Sequence, residues 1–179
     1  LLAFFLIFVP YLYGVLMGLL LLDERDARTL TALRITPLTP CDYLQYRLMV
    51  PLLLSLICYL GLLPLLPMAL PGFGERLALA VPGMLQTAIL ALLLSTTVPN
   101  KVAGLALYKV LGLVYFAPLV ILFFEGKWIW LLAVLPGFWQ TSLISTGEVS
   151  FTLLWLVGVC YHTVLLGMLA RRFARLRLD

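Results

Sequence analysis

Five runs of this chain, each about twenty residues long, are almost free of charge, and an α-helix needs a run of that length to cross the hydrocarbon core of a bilayer. The runs are 1–22, 48–70, 77–98, 102–124 and 149–170, and only Lys109 interrupts them with a charge. The second would be roughly 34 Å long as a helix, at about 1.5 Å per residue. Backbone in lipid must satisfy its own polar groups, so runs of this kind are expected to be helices. Apolar residues make up 64% of the chain and charged residues 11%, which excludes an ordinary soluble domain. The expected fold is therefore all-α: one polytopic transmembrane domain over 1–179, with five spanning helices. The numbering opens inside an apolar run without Met. That run is expected to be cut from a longer parent rather than to be a signal peptide, because no basic region precedes it.

The net charge of +4 does not point to nucleic acid, because the basic residues lie at the edges of apolar runs and form no patch interleaved with aromatics. Their distribution instead orients the chain. Arg25, Arg28, Arg34 and Arg47 surround the first link, Lys101 and Lys109 the third, and Arg171, Arg172, Arg175 and Arg177 the C-terminal tail. The remaining links hold only Arg76 and Lys127. The rich set is expected to face the cytoplasm, which places 23–42, the 99–109 link and the tail inside a plasma (inner) membrane. The fourth run then ends outside near Glu125, and the last starts outside near Glu148. The piece between them, 128–147, begins and ends on the outer side and cannot cross once. It is expected to be a re-entrant helical hairpin turned at Pro136-Gly137, with Trp128, Trp130 and Trp139 at the headgroup boundary.

Against this apolar background the stretch 23–42, DERDARTLTALRITPLTPCD, is crowded with charge. Asp23 can act as an N-cap, with Glu24 and Asp26 in a first turn where the helix dipole favours acids. Glu24 and Arg28 are spaced for an i,i+4 pair. Ala27, Leu30 and Leu33 make a narrow apolar stripe, and Pro37 and Pro40 break the helix. The expectation is a short amphipathic helix of about three turns at the cytoplasmic surface. Thr39-Pro40-Cys41-Asp42 then begins the next segment.

This stretch resembles the coupling region of type-2 ABC transporter permeases (the ABC-2 family). Glu24-Arg25-Asp26 matches the family's acidic run, Thr29-Leu30 its Thr-Leu, and Leu33 with Thr36-Pro37-Leu38-Thr39 its Leu and Thr-Pro-Leu-Ser-like turn. Tyr43-Leu44 and Arg47 follow into the next span. Arg28 stands where Gly is usual in that family, and Thr31 where Glu is usual. The resemblance implies six spans in the parent, the first missing here, and a re-entrant helical pair before the last span. It also implies an exporter that works as a dimer, with a second permease copy or a homologue, and with ABC ATPase subunits gripping Glu24, Arg25, Asp26, Arg28, Thr29, Leu30 and Leu33. The chain carries no G-x-x-x-x-G-K-[ST] phosphate loop. ATP and Mg would therefore be bound by the partner ATPase, and this chain would bind no cofactor and hold no catalytic site. Some permeases of this kind are described as drug exporters.

Other residues offer alternatives. His162, the single histidine, lies near the middle of the last run. It suits a helix contact, or a proton relay in a secondary, ion-coupled transporter. A non-transporting membrane scaffold is a third reading. Lys109 can snorkel to the inner surface. Glu125 and Glu148 read as boundary residues. Gly14-x-x-x-Gly18 permits close helix contact, within the chain or across a dimer. Phe4, Phe5, Phe8, Tyr11 and Tyr13 suit packing or a lipophilic path, and the Arg-rich tail suits orientation of the last span or binding of anionic lipid. Pro51, Pro64, Pro67, Pro82 and Pro118 are expected to mark kinks. Cys41, Cys58 and Cys160 form neither a disulfide framework nor a metal-ligand spacing.

Overall fold

A computed structural model describes residues 2–27, 39–65, 72–124, 126–145 and 149–178. Every regular element among them is helical. In chain order they are α1 (Leu2–Asp26), α2 (Pro40–Leu62), α3 (Phe73–Ala78), α4 (Ala80–Thr97), α5 (Lys101–Phe116), α6 (Pro136–Ile144) and α7 (Phe151–Leu178). Three 3-10 segments join them, at Leu63–Leu65, Ala117–Leu122 and Lys127–Val134. Among the described residues five stretches are long and apolar enough to span: Ala3–Asp26, Asp42–Leu62, Phe73–Thr97, Lys101–Leu122 and Phe151–Arg175. The second begins earlier than the hydropathy of 48–70 suggests, and the fifth runs past Ala170 into the Arg-rich tail. Charged residues at a helix end add turns that an apolar window cannot see.

The bundle is built around α1 and α4. Gly14 and Gly18 make this contact close. A Cβ at Gly14 would lie 2.7 Å from the Leu90 Cβ and 2.8 Å from the Thr87 carbonyl oxygen, and one at Gly18 would lie 2.9 Å from the Leu94 Cβ. The small-x-x-x-small motif thus joins two helices of one chain. Without a hydrophobic force between helices in lipid, such van der Waals contact is a main source of association. On one flank Met17 and Leu21 of α1 pack with Ala88, Ile89, Ala91 and Leu92 of α4, against Tyr43 and Leu44 of α2 and Leu169 and Phe173 of α7. On the other, Tyr11, Val15 and Leu22 pack with Leu90, Leu94 and Tyr115.

Two prolines set where side chains dock on backbone. Pro10 sits inside α1 and cannot donate to the Leu6 carbonyl. That oxygen instead accepts from the Tyr59 hydroxyl of α2 and from Gln140 Nε2 of α6. Pro82 cannot donate to the Ala78 carbonyl, at the break between α3 and α4, and Trp155 Nε1 of α7 takes that oxygen at 2.8 Å. Neighbouring helices re-satisfy the groups that proline frees, as backbone in lipid requires. Pro51 lies inside α2, while Pro64 and Pro118 lie in 3-10 segments. Pro67 lies outside the described residues.

The segment between the fourth and fifth spans has two arms. The 3-10 arm Lys127–Val134 meets α6 at Leu135, whose extended backbone (φ −88°, ψ 131°) precedes Pro136 at the first helical position. Trp139 Nε1 donates to the Ala133 carbonyl at 3.0 Å and ties the arms together. Gly137 lets α6 start directly against α5, since a Cβ there would lie 2.6 Å from the Tyr115 carbonyl oxygen. Trp128 and Trp130 are exposed, and Trp139 is buried against Gly158 of α7.

Candidate functional site

The charged stretch departs from its sequence reading at its first residue. Asp23 does not cap a new helix. α1 continues through Asp26, and the Ala27 amide donates to the Asp23 carbonyl at 2.9 Å. Asp23, Glu24 and Asp26 therefore occupy a last turn, where acids oppose the helix dipole. Their tertiary partners explain why they are there.

Glu24 accepts from the Tyr43 hydroxyl and pairs with Arg47, both on α2. Its side chain is only 11% exposed, against 34% for Arg47. The Arg47 guanidinium also lies 5.9 Å from the centre of the Tyr43 ring, and Tyr43 stacks on Phe173 of α7 at 6.3 Å. Arg25 turns toward α4. It donates to the Ser95 carbonyl at 3.0 Å and to the Val98 carbonyl, oxygens left over where that helix ends. Asp26 turns toward α5 and accepts the Lys101 backbone N–H at 2.9 Å, while Asp23 pairs with Lys101 Nζ at 2.8 Å. Asn100 caps the same α5 terminus by accepting from the Ala103 amide at 2.9 Å.

On the far side of the link, Thr39 and Asp42 form a reciprocal capping box. The Asp42 amide donates to Thr39 Oγ1 at 3.2 Å, and the Thr39 amide donates to Asp42 Oδ2 at 3.3 Å. Pro40 falls at the first helical position, where its missing N–H costs nothing. Pro40 thus starts α2. Glu24, Arg25 and Asp26 are brought together at one end of the bundle. Arg28, Thr29, Leu30 and Leu33, and the proposed amphipathic helix itself, lie outside the described residues, as do Glu125 and Glu148.

A second polar region lies deeper. The Tyr115 hydroxyl of α5 donates to Gln86 Oε1 of α4, and Gln86 Nε2 donates to the Pro136 carbonyl of α6 at 3.0 Å. With Gln140 on the Leu6 carbonyl, two amides fasten α6 to the core. His162 is fully buried, and its Nδ1 lies 2.5 Å from the Gly158 carbonyl. A carbonyl only accepts, so Nδ1 carries the proton. The ion pairs Arg47–Glu24 and Lys101–Asp23 lie at the end of the bundle and do not involve His162. Lys109 is exposed on α5. Phe4 and Phe8 stack on Phe116, at 5.2 Å and 6.4 Å, and the Tyr11 hydroxyl donates to the Tyr108 carbonyl at 2.6 Å. Those aromatics pack α1 on α5. Sequence reasoning missed Gln86, Gln140, Tyr59 and Tyr115. The available signal was an amide inside an apolar run, which needs a partner as surely as a charge does.

A family model described as Fluoroquinolones export permease protein Rv2686c-like matches residues 1–170 of this chain. The chain belongs to that family. Similar proteins include the Fluoroquinolones export permease proteins MT2760 and Rv2686c, from the CDC 1551 / Oshkosh and H37Rv strains of Mycobacterium tuberculosis. Each is 27% identical over 175 residues, covering 96% of this chain and 69% of the relative. No solved structure matches. Membership places this multi-pass membrane protein among permeases, and the all-α polytopic fold agrees with the resemblance to ABC-2 permeases.

Proposed function

We propose that this chain is the membrane-spanning subunit of an ATP-driven exporter of the ABC-2 type, powered by a partner ATPase that binds ATP and Mg. The observation that carries the reading is that both flanks of the charged link, 23–27 and 39–42, sit at the same end of the bundle as the α4–α5 link and the Arg-rich end of α7, within a chain of the export permease family. Under the positive-inside rule that end is cytoplasmic, where an ATPase would be. In this reading the ATPase would meet Thr29, Leu30 and Leu33, and closure of two ATPase subunits would move two permease subunits against each other and open a path outward. The hairpin of Lys127–Val134 and α6 would enter the outer leaflet, its deep end held by Gln86. Fluoroquinolones are the first substrates to test, because the similar proteins are named for their export.

The test is uptake of a fluoroquinolone into inside-out vesicles of native membrane holding this permease. ATP-dependent uptake that vanadate stops is expected. Uptake that ignores vanadate and collapses with the proton gradient would replace this reading with an ion-coupled one centred on His162, and no flux at all would favour a scaffold.

A further inference from the structure

Successive residues of an α-helix point about 100° apart, so four in a row radiate around the axis and cannot share one face. A partner protein docking on one side of α1 could touch only some of Asp23, Glu24, Arg25 and Asp26. All four nevertheless have partners within the chain: Glu24 and Arg25 are partly buried, while Asp23 and Asp26 stay exposed and reach along the surface to Lys101. Glu24 holds Tyr43 and Arg47 of α2, and Tyr43 carries the contact on to Phe173 of α7. Arg25 holds the last carbonyls of α4, and Asp23 and Asp26 hold the first residue of α5. One helical turn reaches every other span at this end of the bundle.

We infer that Asp23–Asp26 form a transmission hub, a set of positioning residues that joins all five spans at this end so that they move as one body. This rests on the ATP-driven reading above and divides its coupling residues in two. Glu24, Arg25 and Asp26 act within the chain, leaving Arg28, Thr29, Leu30 and Leu33 to meet the ATPase. The chemistry fits a joint that stays shut. Arg25 and Asp26 together bracket the α4–α5 link, one satisfying orphan carbonyls and the other an orphan N–H. Separating α1 from that link would expose both sets at once, together with Glu24, which is nearly buried.

The hub is tested by locking it. In the full permease, with Cys41, Cys58 and Cys160 replaced by alanine, Asp23→Cys and Lys101→Cys are combined and cross-linked by a short bis-maleimide. Vanadate-sensitive uptake in the vesicles above is expected to stay within about twofold of the uncross-linked double variant. A tenfold or greater loss on cross-linking would show that α1 and α5 must part during transport, and would overturn the hub. A second variant checks the division of labour. Glu24→Gln is expected to lower export per ATP hydrolysed about tenfold, with the co-purified ATPase retained. Release of the ATPase with an unchanged ratio would make Glu24 a contact residue and also overturn the hub. The two failures read differently, since uptake that persists in vanadate overturns the ATP-driven reading, whereas a cross-link that stops uptake overturns only the hub.

Discussion

At the Asp23 end of the bundle neighbouring helices are joined by charged side chains, whereas at the level of Gln86 and Gln140 they are joined by neutral amides and phenols bonded to backbone carbonyls. The difference follows from depth. Near the end, Asp23 and Lys101 keep about half their side-chain surface exposed, so water helps to carry their charge. Deeper in, Gln86, Gln140 and Tyr59 have no exposure, and a charge there would carry a large desolvation penalty. Neutral groups can be buried there if each finds a partner, and prolines supply partners by freeing carbonyls. The charged end can therefore be remade by swapping signs, while the deep region can be remade only by changing which carbonyls are free.

Both regions depend on the α1–α4 contact, and breaking that contact should give the largest effect. Gly14→Val would drive a Cβ into the Thr87 backbone and the Leu90 side chain, and its cost is expected to be about 3 kcal/mol, at the upper end for overpacking. Unfolding in mixed micelles would show it as a loss of the folded fraction. A variant of unchanged stability would mean that α1 and α4 are further apart than described.

Next comes the charged end. Glu24→Ala leaves Arg47 and the Tyr43 hydroxyl without their acceptor in a partly buried setting, and a loss of about 1–2 kcal/mol is expected. Reversing the exposed pair, with Asp23→Lys and Lys101→Asp together, should cost less than about 0.5 kcal/mol. A larger loss in the swap than in the Glu24 variant would invert the picture of a solvated rim around one buried carboxylate.

The smallest single effects are expected in the deep region. Gln140→Leu removes one bond to the Leu6 carbonyl but also removes Oε1, which is buried without a partner, so a change below about 1 kcal/mol is expected. Tyr59→Phe should act similarly, because Gln140 still serves the same oxygen. The double variant strands the carbonyl that Pro10 frees and should cost more than the sum. A double-mutant cycle measures the excess, and simple additivity would show that the two side chains do not share that acceptor.

The spans and the close-contact glycines were legible in the sequence, because run length and residue size are local facts. Gly14 and Gly18 announced a helix contact but not its partner. The candidate site was only half legible. Glu24, Arg25 and Asp26 stood out as charged residues beside a span, and the reading of Asp23 as an N-cap followed correctly from local rules. It failed because α1 continues past its apolar run, held by Tyr43, Arg47, Ser95 and Lys101, none of which is near in sequence. The Thr39–Asp42 capping box, by contrast, is local and was readable in principle.

By itself the sequence determined that the chain must be helical and membrane-spanning, since long uncharged runs have no other way to satisfy their backbone in lipid. It also determined which loops share a side. Only the tertiary structure decided where the charges of Asp23–Asp26 are directed. Direction around a helix has meaning only once the neighbouring helices are in place, and those neighbours come from parts of the chain far apart in sequence. The same holds for the carbonyls freed by Pro10 and Pro82. The prolines are visible in the sequence, but that Tyr59, Gln140 and Trp155 would be the groups to meet those oxygens was settled by packing.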